Sequence, residues 1–176
     1  MPPMQSTEAA LPAAHEPPIL RRSGLGWVLL ILNLFVTFGS TSYFLFQLRV
    51  GFAPWVMMNV CAIAGLLFAL GFLTRSLIVL TASTAFLFFY GVSGLFAFGW
   101  DIFVLGAQIG HILMILTGVY VAIVVIRLHA WRPLLLGLLL GAALLVPHAI
   151  IANDWGSSHP ELMERFLSGD LMRPVA

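Results

Sequence analysis

Apolar residues along this chain fall into five long runs, each carrying a few polar or small residues and separated from the next by short punctuation. The runs are Leu25 to Leu48, Pro54 to Leu73, Ser76 to Phe98, Ile102 to Ile126 and Pro133 to Ala152. At a helical rise of ~1.5 Å per residue, each comes close to the ~30 Å needed to cross the hydrocarbon of a bilayer. Between them lie Arg49 and Gly51, then Thr74 and Arg75, then Gly99 to Asp101, then Arg127 to Arg132. Charged and turn-forming residues of this kind end helices and keep loops short. The pattern predicts an all-α polytopic membrane helix bundle with five transmembrane helices. A cleaved signal peptide competes for the first run, with small residues at Gly39 to Ser42, but apolar character continues beyond them to Leu48. The Arg21–Arg22 pair lacks the continuation of a twin-arginine signal and is explained by flanking charge.

The flanks read differently from the core. Residues 1–22 are rich in proline and alanine with no sustained apolar face, which predicts a disordered cytoplasmic tail. Residues 23–153 form the expected five-helix transmembrane domain and 154–176 a short amphipathic tail on the outer side. Orientation follows from arginine, which is retained on the cytoplasmic side. With the N-terminus inside, Arg21, Arg22, Arg75, Arg127 and Arg132 are cytoplasmic, against Arg49, Arg165 and Arg173 outside. The expectation is N-in, C-out. Trp55, Trp100 and Trp155 then fall at outer boundaries and Trp27 and Trp131 at inner ones, where amphipathic rings sit in the headgroup layer. In the tail, Ser158 and Glu161 have the spacing of a capping box. A short helix with Leu162, Met163, Phe166 and Leu167 as its apolar stripe and Gly169 as its stop is expected to lie on the membrane surface or on the bundle.

Composition removes whole classes of function. Hydrophobic residues make up 61% of the chain and charged residues 9%, a balance outside the range of soluble domains. A net charge of +1, with scattered arginines, gathers no nucleic acid. Cys61 is the single cysteine, so no internal disulfide or cysteine-rich metal site can form. The expected partners are the lipid bilayer and other membrane protein subunits, with no nucleic acid. The expected location is multi-pass, in a bacterial inner (cytoplasmic) membrane.

Polar residues inside the runs are the candidates for chemistry. In the first, Asn33, Thr37, Ser40, Thr41 and Gln47 fall within an arc of about 120° at 100° per residue. Interhelical hydrogen bonding explains such a face, and a polar cavity or headgroup site is the alternative. Thr81, Ser83 and Thr84 either supply partners or bond back to their own helix. The fourth run has two faces. Gly106, Gly110 and Thr117 form a small-residue seam that favours close helix approach, whereas Asp101, Gln108, His111 and Gly118 lie within about 100° of one another on another side. Gly137, Gly141 and His148 share about 40° in the fifth, where Pro147 is expected to bend the helix.

Cofactor binding is therefore assigned to His111, Gln108 and His148, with no catalytic residue and no metal ligand. Two inward histidines raise haem b, but His111 lies about 14 Å and His148 about 6 Å below the outer boundary as drawn, and axial ligands should share a depth. A metal site of Asp101, His111 and His148 lacks a cysteine or glutamate to complete it. His111 is otherwise a neutral imidazole satisfied by Gln108 or a hydroxyl, or a group that holds a ligand such as a quinone. No acidic residue continues a proton relay inward, five spans do not divide into two repeats, and no hydrolase or phosphate-loop motif is present.

The stretch AGLLFALGFLTRSLIVLTA, residues 64–82, resembles the second-to-third helix junction of the DoxX-like family of small four-helix membrane proteins. Gly65, Gly71, Thr74 and Arg75 match its Gly-rich helix and Gly-x-x-Thr-Arg turn. GWDIFVLGAQIGHILMILTG is similar to the family's last helix, with Asp101 as the counterpart of an acidic residue near its start. No acidic residue stands around Asn59 to Ala62, where the family commonly has one, and a fifth span is added. Some members are small subunits of quinone-linked sulfur oxidation systems. The resemblance implies an accessory membrane subunit more than a self-contained catalyst. Three readings follow: a non-catalytic accessory, assembly or scaffold subunit of a membrane complex, possibly a redox one; a quinone- or haem-binding oxidoreductase subunit using His111 and Gln108; and a small lipid or small-molecule carrier.

Overall fold

A computed structural model describes residues 23–47, 51–100, 104–168 and 170. The expected tail 1–22 with its arginine pair, Arg49, Asp101, Gly169 and residues 171–176 lie outside the described residues, as does the side chain of Gln47. Seven α-helices follow in order: α1 Gly24–Ser42, continued by a π-helical turn Tyr43–Gln47, α2 Phe52–Met58, α3 Val60–Leu73, α4 Leu77–Ala97, α5 Leu105–Arg127, α6 Trp131–Ser158 and α7 Pro160–Leu167. No strand occurs among the described residues. The protein is an all-α helix bundle and an integral membrane protein. Four helices are long and apolar enough to cross a bilayer, and the bent pair α2–α3 makes a fifth crossing when taken as one span.

Side-chain neighbours set the directions. Trp27 at the start of α1 meets Phe72 at the end of α3, and Gly71 of α3 lies against Leu80 at the start of α4. Gly94 near the end of α4 faces His111 near the start of α5. Thr81 and Tyr90 of α4 meet Pro133 and His148 of α6. Helices α1, α4 and α6 thus run one way and α3 and α5 the other, which leaves Ser23 and Ser158 at opposite ends of the bundle. Helix α4 is the central element, packed by α3, α5 and α6, with α1 laid across α3 and α5.

The second span is the main departure from expectation. Its apolar run breaks at Asn59 (φ −101°, ψ 49°), where α2 and α3 meet at 79°. At ~1.5 Å per residue, the 14 residues of α3 give only about 21 Å, and α2, set nearly across that axis, lies over the end of the bundle that holds Ser158, termed the outer end, with its opposite the inner end. Buried Asn59 makes the corner possible. Its carbonyl takes the Ala62 amide, its own amide donates to the Trp55 carbonyl, and its side chain reaches the Thr41 hydroxyl at 3.5 Å.

Two further boundaries differ. Helix α6 runs past Ala152 to Ser158 and continues through Pro147. Ser158 is therefore still helical and donates to the Asp154 carbonyl, so the expected capping box does not form; His159 caps α7, with Pro160 in its first turn. As expected, α7 lies on the bundle, with Phe166 buried.

Both inner turns close by the same device. Ser76 and Arg75 donate to the carbonyls of Gly71 and Phe72, and Ala130 and His129 to those of Val125 and Ile126. Each is a Schellman motif with its left-handed position filled by Arg75 (φ 57°) or His129 (φ 51°) where glycine is the usual occupant. The exchange keeps basic side chains at that end.

Glycines divide into two kinds. A methyl group built on Gly141 would fall 2.7 Å from the Ala82 carbonyl oxygen, and one on Gly137 2.6 Å from that of Ile78, so α4 and α6 touch through backbone. At Gly106 a methyl would meet nothing within 4 Å among the described residues. Replacement by alanine is accordingly expected to act in opposite directions. Gly141→Ala should cost about 1–3 kcal/mol by overpacking, while Gly106→Ala should leave stability unchanged or raise it by up to about 1 kcal/mol. Thermal unfolding in detergent reads both.

Candidate functional site

The polar residues within the spans sort by whether they find partners. Asn33 donates to the Leu29 carbonyl at 2.8 Å and to Thr117 Oγ1 at 2.9 Å, while Thr117 donates to the Leu113 carbonyl at 2.7 Å. This bond ties α1 to α5. Ser83 and Thr84 return to carbonyls of their own helix, and the Thr81 hydroxyl sits among the carbonyls of Leu77, Ile78 and Pro133. Of the expected polar face on α1, Asn33 and Thr37 are buried; Thr37 Oγ1 is without a partner, beside Gly65.

Gln108 and His111, adjacent on α5, do different work. Gln108 is fully buried, and its Nε2 donates to the carbonyls of Phe98 and Gly99, each at 3.0 Å. Those carbonyls follow the end of α4, where helical partners run out, so Gln108 fastens the α4–α5 connection. It does not bond to His111, and its Oε1 has no partner. The His111 imidazole fills the space left by the absent side chain of Gly94 and lies against the Phe98 ring, centroids 5.2 Å apart. His111 is 4% exposed, and its Nδ1 has no hydrogen-bond partner.

His148 is satisfied. Its Nδ1 lies 2.7 Å from the Tyr90 hydroxyl and its Nε2 3.4 Å from the Val56 carbonyl. A carbonyl can only accept, which puts the imidazole proton on Nε2 and leaves Nδ1 to accept from Tyr90. With both nitrogens engaged, His148 does not fit the second axial position of a haem whose first ligand is His111. The order of depth is also the reverse of the expected one. Along α4, the partner of His148 is Tyr90, whereas His111 faces Gly94, one turn nearer the outer end. No group of three or more metal-ligating side chains is present among the described residues.

Around His111 the outer end of the bundle holds two cavities, of about 300 Å³ and about 210 Å³. The larger lies between α1, the α2–α3 corner and the start of α5; the smaller lies between α3, the end of α4, α6 and α7. Met58, Cys61, Phe98, His111 and Phe166 border both. Above them, Phe166 of α7 is wedged between Phe44 and Phe98, at centroid distances of 5.7 and 5.0 Å. The π-helical turn lends Tyr43 and Phe44 to the same layer, a common use of such turns. Among the described residues no charged side chain lines either cavity, and neither Gln108 nor His148 does.

Sequence reasoning passed over Tyr90 and Phe98, and gave Phe166 only as part of the apolar stripe of the tail helix. Tyr90 carried a signal, because a buried phenol hydroxyl usually finds a partner. Phe98 carried none, since an aromatic residue in an apolar run is most often core. Trp55 and Trp155 are half-buried in the outer layer, and Trp100 is well exposed. Comparison of the chain with protein families, with curated proteins and with solved structures finds no match.

The Tyr90–His148 bond is testable. A double-mutant cycle with Tyr90→Phe and His148→Leu should give a coupling of about 0.5–1.5 kcal/mol, the net worth of one hydrogen bond. Additive losses would show that the pair contributes nothing.

Proposed function

We propose that this integral membrane protein is a binding subunit that holds an uncharged, largely apolar molecule bearing one carbonyl or hydroxyl group in the outer half of the membrane. The observation that carries the reading is His111 Nδ1, buried without a partner on a residue that borders two cavities. Inside a membrane an unsatisfied polar nitrogen is costly, and a ligand's polar group removes that cost. The described lining is apolar or neutral, which favours an uncharged head, because burying an unpaired charge costs far more than burying a carbonyl. A quinone fits this description. Gln108 enters the reading through the α4–α5 connection it holds, and His148 through its bond to Tyr90.

The reading accords with an accessory role and requires no catalysis by this chain. Helix α6 supports that role: of its 28 residues only Gly137 and Gly141 are buried, so most of a long apolar helix is offered to lipid or to the helices of another subunit. The DoxX-like resemblance points the same way. Its turn residues Thr74 and Arg75 form a Schellman turn that brings Gly71 against Leu80. A bacterial inner membrane and the N-in orientation belong to the same proposal.

Trp55 and Trp155 report on the site, Trp155 bordering the smaller cavity and Trp55 packing in the aromatic layer beside it. Decylubiquinone added to the protein in liposomes should quench their fluorescence saturably. His111→Leu should weaken the apparent affinity by about 2- to 12-fold, corresponding to about 0.5–1.5 kcal/mol for one hydrogen bond, with His111→Gln restoring part of it. Quenching that rises without saturation, or is indifferent to residue 111, would contradict the proposal.

A further inference from the structure

The larger cavity has a wall that is incomplete on one side. Helices α1 and α5 are joined at Asn33 and Thr117 by the 2.9 Å hydrogen bond, and the larger cavity lies between them on the outer side of it. One step outward, a methyl group built on Gly110 would lie 3.6 Å from Val36 Cγ1. Further out, methyl groups on Gly106 and on Gly39 would meet nothing within 4 Å among the described residues. All three glycines border the cavity. Gly106 and Gly110, in sequence a motif for close helix contact, here flank a gap that widens away from its hydrogen-bonded base.

We propose that this gap is a lateral portal through which an uncharged amphiphile dissolved in the outer lipid leaflet reaches His111. The proposal deepens the binding-subunit reading and rests on it. Two observations independent of the glycines support a ligand behind the gap: the 96% burial implied by His111's 4% exposure, with Nδ1 unpartnered, and the uncharged lining. The route from water is obstructed. Phe166, wedged between Phe44 and Phe98, lies over the cavity at the outer end, and α2 covers the α3 side. On the lipid side the flanking Phe35 is 75% exposed, so the lips of the gap face hydrocarbon. A membrane-dissolved molecule then exchanges with the cavity without its apolar part crossing water, and specificity lies in the absence of charge on its head.

Carbene labelling tests the route without any ligand. The protein in liposomes is irradiated with a neutral aryl diazirine that partitions into the bilayer, and insertion is mapped by mass spectrometry. Labelling is expected at Cys61 and His111 as well as at Leu139, an exposed residue of α6. In the double variant Gly39→Leu/Gly106→Leu, labelling of Cys61 and His111 should be lost while that of Leu139 persists. Gly39→Ala/Gly106→Ala should retain all three. The added methyls of the alanine variant meet no described atom within 4 Å, and thermal unfolding in detergent checks that the leucine variant is folded. Labelling of Cys61 unaffected by the leucines, absent from the start, or obtained instead with a charged water-soluble diazirine would overturn the portal. The outcomes separate the two proposals. Portal-dependent labelling combined with decylubiquinone quenching indifferent to residue 111 would keep the portal and remove the quinone-like ligand.

Discussion

Lipid offers no hydrogen-bond partner, and among the described residues this protein answers that constraint for most of its buried polar side chains, leaving Thr37 Oγ1, Trp55 Nε1, Gln108 Oε1, His111 Nδ1 and the Tyr120 hydroxyl without one. Backbone groups are met by helices throughout. Hydroxyls of Ser83 and Thr84 are met by carbonyls of their own helix, Asn33 by Thr117 across α1 and α5, and Gln108 Nε2 by the Phe98 and Gly99 carbonyls just beyond α4. His148 is held at both nitrogens. Among the five unpartnered atoms, His111 Nδ1 is the one carried by a residue that borders both cavities.

The same constraint explains how two different ends arise from one bundle. At the inner end glycines allow backbone contact, as Gly137 and Gly141 do against α4 and Gly71 does against Leu80. At the outer end the short α3 begins below the level reached by α1, and the corner at Asn59 turns α2 across the gap. Aromatic residues of α1, α4 and α7 roof the space that results. The cavities thus lie where α3 stops short of the level reached by α1 and α2 turns crosswise.

Hydropathy alone shows most of the scaffold, because a helix in lipid must be apolar over a fixed length. The starts of α1, α4 and α6 fall within a few residues of the expected ones, and the inward face of Gly137, Gly141 and His148 follows from helical periodicity. The break at Asn59 was not legible. The run from Pro54 to Leu73 is continuously apolar, and a single asparagine reads as a buried hydrogen-bonding group, which it also is. The extension of α6 to Ser158 escaped notice because Asn153 and Asp154 mark the end of an apolar run, not of a helix. Gly106 and Gly110 illustrate a deeper limit. A small residue leaves room, and sequence does not say whether a neighbouring helix takes that room or nothing does. Likewise the spacing of Gln108 and His111 places them side by side but does not reveal that their bonding runs to α4 in one case and nowhere in the other.

The central claim is the contrast between a satisfied histidine and an unsatisfied one. It is tested most directly by solid-state nitrogen-15 NMR of histidine-labelled protein in lipid bilayers, with His111→Phe and His148→Phe assigning the signals and decylubiquinone as the added ligand. The account predicts that His148 shows a protonated Nε2 and a hydrogen-bonded Nδ1 that do not change on addition, while the Nδ1 resonance of His111 moves as it gains a partner. A His111 signal that already carries a hydrogen bond and stays fixed, or a His148 signal that shifts in its place, would contradict it.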